Sequence, residues 1–372
     1  MSLSIREVES AKDRKDFVAF QFNLYNGHPY WVPPMRKDEM KALHPSTNPA
    51  FSFCKAKAWL VEDEGKVKGR IMAIVHEPYN EKTGVKYGRF NRIEFEDDEA
   101  VFDLLIDTAM AWFREKGMEK IHGPLGFSNL DTQGLQIEGF DHLPSIASVY
   151  HLPYYKDHFD RRGFNKENDW VEFRLTLTEE PVNKANRGIP LIKRRYGFES
   201  VEMASKEELK QYAPRIFQIL NKAFADLPYV AELNEEMIRS YTEKYFNMLD
   251  PRFITLVKKD GELVGFFIGM PNLSYAMKKA GGKLFPFGFL HLMKALKKPT
   301  AIDMMLTGVL PEYQASGVAV ILIGELQKRM LNLGIKYMET TGVFESNQNV
   351  IANWKNYENE QYKRRRCYVK DL

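Results

Sequence analysis

The sequence predicts an α/β (α+β) chain built as two tandem copies of one unit, over residues 1–178 and 190–372, with a linker at 179–189. Three observations carry this. At 372 residues the chain is longer than a single hydrophobic core usually serves, and it suits two domains. Apolar residues make up 44% and aromatics 13%, ample for packed cores, with no low-complexity tract between them. The third observation is internal: segments of the first half recur in the second, in the same order.

The elements follow in turn. "IREVESA" (Ile5 to Ala11) and "FESVEMA" (Phe198 to Ala204) each read as a short alternating strand running into a charged helix start. "LVEDEGKVKG" (Leu60 to Gly69) matches "LVKKDGELVG" (Leu256 to Gly265), with Leu-Val and both glycines in register. Each is a hairpin, a polar Gly turn between two apolar runs. A long helix stops at Gly117 and leads through "MEKIHGPLGFSN"; its counterpart stops at Gly334 and leads through "IKYMETTGVFESN". Each copy thus runs strand, helices, hairpin, strand, long helix, strand, helix, strand. The offset between copies grows from 193 to 196 and then to 217 or 218. About twenty extra residues therefore fall between the third and fourth strands of copy two. Fragments like these also occur in α/β chains without a repeat; their shared order favours duplication.

Composition excludes several classes. With 53 basic and 50 acidic residues the formal charge is +3, and no global field points to nucleic acid. Cys54 and Cys367 are too few for a disulfide framework or a thiolate metal site. The eight histidines show no His-x-x-x-His spacing with a carboxylate, so no metal site is expected. "KRRRC" (Lys363 to Cys367) lies in an expected terminal strand and reads as a solvated edge. The N-terminal stretch "SIREVESAKDRKDF" (Ser4 to Phe17) is charged within its first five residues and no apolar run reaches spanning length, so a soluble, cytoplasmic protein without membrane insertion is expected. Oligomeric state stays open.

"GVLPEYQASGVAVILIGELQKRM" (Gly308 to Met330) departs from an ordinary strand-to-helix turn. An apolar strand ends at Val309 and Leu310, Pro311 stops it, and a long amphipathic helix follows. Helix starts usually attract acids, because the dipole is positive there and the first amides lack partners. Here no Asp or Glu appears between Glu312 and Glu325, and Gln314, Ala315, Ser316, Gly317, Val318 and Ala319 line the turn. Such a turn can aim bare N–H groups at a phosphate. It can equally be a tight turn using Gly for its φ angle.

The lead-in Val309, Pro311, Glu312, Tyr313 and the set Gln314, Gly317, Ala319 resemble the acyl-CoA loop of the GCN5-related N-acetyltransferase (GNAT) superfamily. That resemblance implies a mixed, mostly antiparallel sheet flanked by helices and splayed in the middle. It implies acetyl-CoA, or another acyl-CoA, as cofactor, with the loop amides on the pyrophosphate and the strand ending at Val309-Leu310 paired with pantetheine. The whole chain resembles a bacterial subgroup of tandem acetyltransferase-like proteins. Subtracting 217 puts Asp97, Ala100 and Phe102 at the loop positions of copy one, inside "FEDDEAVF". Four acids there would repel a pyrophosphate, so copy one reads as a degenerate GNAT-like domain and copy two as the one with an intact loop.

Acyl transfer to an amine needs a deprotonated amine, a stabilised oxyanion and a protonated leaving thiolate. Asp303, an acid in the apolar strand "AIDMMLTGVL", stands where family members often place a Glu base; it can equally face solvent. The oxyanion donor is expected to be a backbone N–H near Val309 or Leu310. Asn347 stands where the family often binds pantetheine; it can equally be an N-cap for "QNVIANWKNY". Tyr357 and Tyr362 are the candidates for the family's thiol acid, although the usual closing Gly-Phe is missing. Copy one keeps that ending better, with Tyr155 and Gly163-Phe164. The insert "SYAMKKAGGKLFPFGFLHLMKALKKP" (Ser274 to Pro299) reads as a cap on the sheet, a lid, or an interface for an acidic carrier or lipid headgroups.

The function expected is acyl-CoA-dependent N-acyl transfer, most simply acetyl transfer, to a small-molecule or peptide amine. The alternatives are a Fem-like aminoacyl transferase, an acyltransferase using acyl carrier protein, and a CoA- or ligand-binding protein without activity.

Overall fold

The repeated segments fold alike. The structure, a computed structural model, describes residues 3–203 and 205–372; Ala204, which closes the second repeat segment, lies outside them. The first half forms β1 (Ser4–Glu7), β2 (Cys54–Asp63), β3 (Lys66–His76), β4 (Tyr87–Phe95), β5 (Lys120–Gly123), β6 (Leu135–Glu138) and β7 (Asn165–Thr176). The second forms β8 (Phe198–Val201), β9 (Ile254–Lys259), β10 (Glu262–Pro271), β11 (Ala301–Val309), β12 (Tyr337–Thr340), β13 (Val343–Phe344) and β14 (Glu358–Asp371).

Both predicted hairpins are present, β2 with β3 and β9 with β10, each antiparallel. Their turns place two successive residues at positive φ, Glu64 and Gly65 in one, Asp260 and Gly261 in the other. That is the turn whose twist matches paired strands. β4 runs parallel to β5, and β11 parallel to β12, so each unit has a mixed, mostly antiparallel sheet. Apolar residues at helical spacing cover these sheets. The helix Glu99–Glu115 buries Val101, Phe102, Leu105, Ile106, Ala109 and Phe113; the helix Val318–Asn332 buries Ile321, Leu322, Leu326 and Met330. Each large side chain so buried contributes roughly 1.5–3 kcal/mol.

Two compact units result, and they do not follow the sequence halves. The first comprises Met1–Val171, Ser274–Leu292 and Tyr362–Leu372; the second comprises Glu172–Leu273 and Met293–Gln361. In the first, the strand order is β1-β2-β3-β4-β5-β14, with β6 also on β14. In the second it is the end of β7, then β12-β11-β10-β9-β8. The last strand of each half thus completes the sheet of the other unit: Tyr368 pairs with Gly123, and Arg174 with Glu339.

Three expectations need correction. The boundary at 178/190 differs from these units, because strand pairing joined distant segments that no local signal labels. Residues 179–189 are no linker: they form the helix Glu179–Arg187 and open the helix Ile189–Tyr196. Val182 and Ile189 are buried there, and Asn186 Nδ2 donates to Gly324 O at 3.0 Å. Finally, Lys363 to Cys367 is not a solvated edge. Lys363, Arg365 and Cys367 are buried, while Arg364 and Arg366 both donate to buried Asp169, at 3.1 and 2.8 Å. Pairing with β5 and β6 draws that strand into the first unit.

Candidate functional site

In the second unit, β11 is held differently on its two sides. β10 pairs along it from Ile302 to Val309. A bulge interrupts that ladder: Ile268 faces Leu306 and Gly269 faces Met304, so Met305 is the extra residue. β12 pairs only from Ala301 to Met304, and Thr341 Oγ1 then donates to Met304 O at 2.9 Å. Beyond that point the two strands part. Met304 to Thr307, in the middle of the sheet, are only half-buried. This is the splay that the sequence resemblance implies.

At the root of the splay, register sets Asp303 opposite Glu339. Asp303 is fully buried, so the solvent-facing alternative does not hold. Asn272 Nδ2 donates to Asp303 Oδ1 at 2.8 Å and to Glu339 Oε2 at 3.1 Å; Arg174 Nε donates to Glu339 Oε1 at 2.8 Å. The Asn272 amide thus bridges the two carboxylates, and the Arg174 guanidinium is bound to Glu339. Sequence reasoning missed Asn272, Glu339 and Arg174. Glu339 was open to the signal that found Asp303, an acid inside an apolar strand. Arg174 was not, because its role depends on which strand β12 accepts.

The turn follows at the other end of β11. Leu310 leads into a 3₁₀ segment, Pro311–Ser316, and Gly317 at φ +88° opens the long helix. An L side chain at that φ is strained, and a Cβ would lie 3.1 Å from Ile192. No side chain caps this helix, and its first turn holds no acid. The loop's polar groups face carbonyls: Ser316 Oγ donates to Tyr313 O at 2.6 Å, and Gln314 Nε2 to Val309 O at 3.4 Å. Gln314 and Ala315 are exposed, Ser316 and Ala319 half-buried, Val309, Leu310 and Val318 buried. Of the two amides expected as oxyanion donor, one is already engaged. The Leu310 amide already donates to Val264 O at 3.0 Å, so it is not the oxyanion donor.

The remaining predicted residues have other partners. Asn347 is the N-cap of the helix Gln348–Ala352, accepting from Val350 N at 3.2 Å. Tyr357 donates to Gln327 Oε1 at 2.8 Å, and burial raises its pKa. Tyr362 is buried in the first unit, with its ring 5.3 Å from His142.

Copy one shows the opposite treatment of each feature. Its strand-to-helix link is Glu96 to Asp98, three residues against eight from Leu310 to Gly317. The two N-caps are Asp98 and Gly317, so the loop positions align at an offset of 219 rather than 217, and copy one lacks the 3₁₀ segment altogether. Asp98 caps its own helix, accepting from Ala100 N at 2.8 Å and Val101 N at 3.3 Å. β4 and β5 also part, after Arg89 and His122, but the gap is filled. Glu94 accepts from Tyr25 and Tyr155, both at 2.7 Å, and Phe95 N donates to Tyr155 Oη at 3.2 Å. Burial raises the pKa of the Glu94 carboxyl. The Tyr155 hydroxyl, where the family would place a thiol acid, is part of this plug.

Among the described residues one trio brings metal-ligand types together, His122, Glu167 and Cys367 of the first unit. Glu167 Oε2 lies 3.1 Å from His122 Nδ1 and accepts from Cys367 Sγ at 3.3 Å. Hydrogen bonding accounts for the grouping, and buried Arg89 beside it opposes a cation.

The chain is similar to known proteins in sequence and in fold. Residues 213–357 match the model of the acetyltransferase (GNAT) family. Over 382 aligned residues the chain is 28% identical to the bacterial ceramide synthase of Caulobacter vibrioides (strain NA1000 / CB15N), covering 100% of this chain and 98% of that protein. It is 27% identical to Protein YghO of Escherichia coli (strain K12), covering 99% and 95%. A tandem GNAT protein from the clavulanic acid biosynthesis pathway superposes with a TM-score of 0.56 at 14% identity, covering 100% of this chain and 98% of that one. At that identity the likeness concerns the fold.

Proposed function

We propose that this chain, a tandem member of the GNAT acetyltransferase superfamily, is an N-acyltransferase whose second unit moves an acyl group from acyl-CoA to an amine. One observation carries the reading: the open edge of β11 runs from a buried carboxylate at its root to an uncapped helix start at its end. Bound acyl-CoA would supply the thioester, whose carbonyl carbon forms a C–N bond with the amine as its C–S bond breaks.

The chain's own groups suit the rest. Backbone N–H and C=O groups of Met305 to Val309 can pair with the pantetheine amides as an added strand would. The amides from Ala315 to Ala319, free of a capping side chain, suit the pyrophosphate, and the αL turn at Gly317 points them together. Asp303 would accept the proton lost by the attacking nitrogen, directly or through a water. The oxyanion donor would be the N–H of Val309, or of Met305 in the bulge, since the Leu310 amide is engaged. Tyr357 would have to leave Gln327 to protonate the thiolate.

For the acceptor, the relative named as a ceramide synthase makes a long-chain amino alcohol the first class to test, because a ceramide is the N-acyl amide of such a compound. The test incubates the full chain with acetyl-CoA or a long-chain acyl-CoA and a panel of amines, measuring thiol release and product mass. Thiol release that requires an amine supports the reading. No CoA binding by calorimetry would overturn it.

A further inference from the structure

We propose that Ser274–Leu292 is a docking surface through which the protein binds, peripherally, the face of an anionic lipid bilayer. The proposal is independent of whether the second unit is catalytic.

The inner side of this segment is held by the first unit. Ser274 and Ala276 are buried, Arg36 N donates to Gly282 O at 3.1 Å, and Lys278 Nζ donates to Pro29 O. Gly282 packs so closely that a Cβ there would lie 2.6 Å from the Phe22 ring. The segment is therefore a fixed part of that unit.

Its outer side is apolar. Phe285 is 76% exposed, Phe287 68%, Tyr275 62%, Leu290 51% and Leu284 43%. Of the eleven exposed large hydrophobics among the described residues, these are five, gathered within sixteen positions of the chain. Scattered exposed apolar residues are ordinary; a concentration of this kind marks a binding surface. Leu284 to Phe287 are all exposed in succession between the helices Ser274–Ala280 and Gly288–Lys297. Apolar side chains this exposed, on a segment fixed to the rest of the unit, suit the interfacial zone of a bilayer.

Charge identifies that interface. Lys278, Lys279 and Lys283 alternate with the apolar groups. No Asp or Glu occurs between residues 274 and 299. Ammonium groups beside exposed aromatic rings fit lipid phosphates above a hydrocarbon boundary. No helix of the described residues is long and apolar enough to cross a membrane, so the contact proposed lies in the headgroup plane.

The experiment is co-sedimentation of the full chain with vesicles of phosphatidylcholine alone, and of phosphatidylcholine with about a third phosphatidylglycerol. Binding should be confined to the anionic vesicles and weaken with salt. Phe285→Ser with Phe287→Ser, and separately Lys279→Glu with Lys283→Glu, should each lower it about tenfold or more while the melting temperature stays unchanged. Absent binding to anionic vesicles would overturn the proposal, as would full binding by the folded Phe variant. So would an acidic carrier protein that binds this surface when the vesicles do not.

Discussion

At the level of single residues the proposed chemistry rests on Asp303. It is fully buried, yet it faces a second carboxylate; the Asn272 amide bridges the two, and the Arg174 guanidinium binds Glu339. A buried polar group without partners is costly, and the bridging amide offsets part of that cost for both carboxylates. If Asp303 accepts the amine proton, Asp303→Asn should lower kcat about 10²-fold and leave CoA affinity unchanged. A pH–rate profile identical to wild type would remove Asp303 from the mechanism. Tyr357→Phe separates two roles for that hydroxyl. A role confined to holding Gln327 predicts a lower melting temperature with kcat intact; thiolate protonation predicts the reverse.

The strand-to-helix turn is the element on which the two copies diverge. Copy two bends through eight residues and leaves its helix start bare; copy one turns in three and caps the helix with Asp98. The chain should therefore bind one CoA, a stoichiometry that calorimetric titration reads directly. Gly317→Glu is a poor test, since its αL backbone and the nearby Ile192 would strain the fold in any case. Ala315→Glu at an exposed position adds charge without that strain, and CoA affinity should fall about tenfold or more. Asp98→Ala should leave stoichiometry and affinity unchanged but cost about 0.5–2 kcal/mol of stability through the lost cap. A second binding site, or full affinity in Ala315→Glu, would place the cofactor elsewhere.

Across the molecule, two buried histidines couple stability to pH. Burial depresses both His76 and His151 to about 3. Each uses neutral Nδ1 as an acceptor, from Tyr79 N and from Gln136 N, both at 3.2 Å. Their folded pKa lies below the unfolded value, so the unfolded chain binds protons that the folded chain refuses. Stability from these groups is complete above about pH 6.5 and declines as pH falls toward 3, by up to about 1.4 kcal/mol per pH unit for each. Denaturant titrations between pH 7 and 4 should show that slope, and His76→Asn with His151→Asn should flatten it. An unchanged slope would assign acid sensitivity to other groups.

Much of this was legible along the chain because its causes are local. Two-residue and 3.6-residue periods wrote the strands and helices, Gly turns wrote the hairpins, and the recurrence of whole segments wrote the duplication. The bare small-residue turn, with acids in its counterpart, was likewise readable, because a helix start satisfies its amides within a few residues. Other features were decided only in three dimensions. The ends of β7 and β14 complete each other's sheets, Arg174 thereby meets Glu339, and Ser274–Leu292 packs on the first unit although copy two encodes it. Tyr25 and Tyr155 plug copy one through Glu94, a contact spanning 69 residues of chain on one side and 61 on the other. A strand edge offers the same N–H and C=O groups to any partner, and the entropy of closing a long loop rises only slowly with its length. Local pattern therefore specifies that a strand will pair, while packing of the finished units selects its partner.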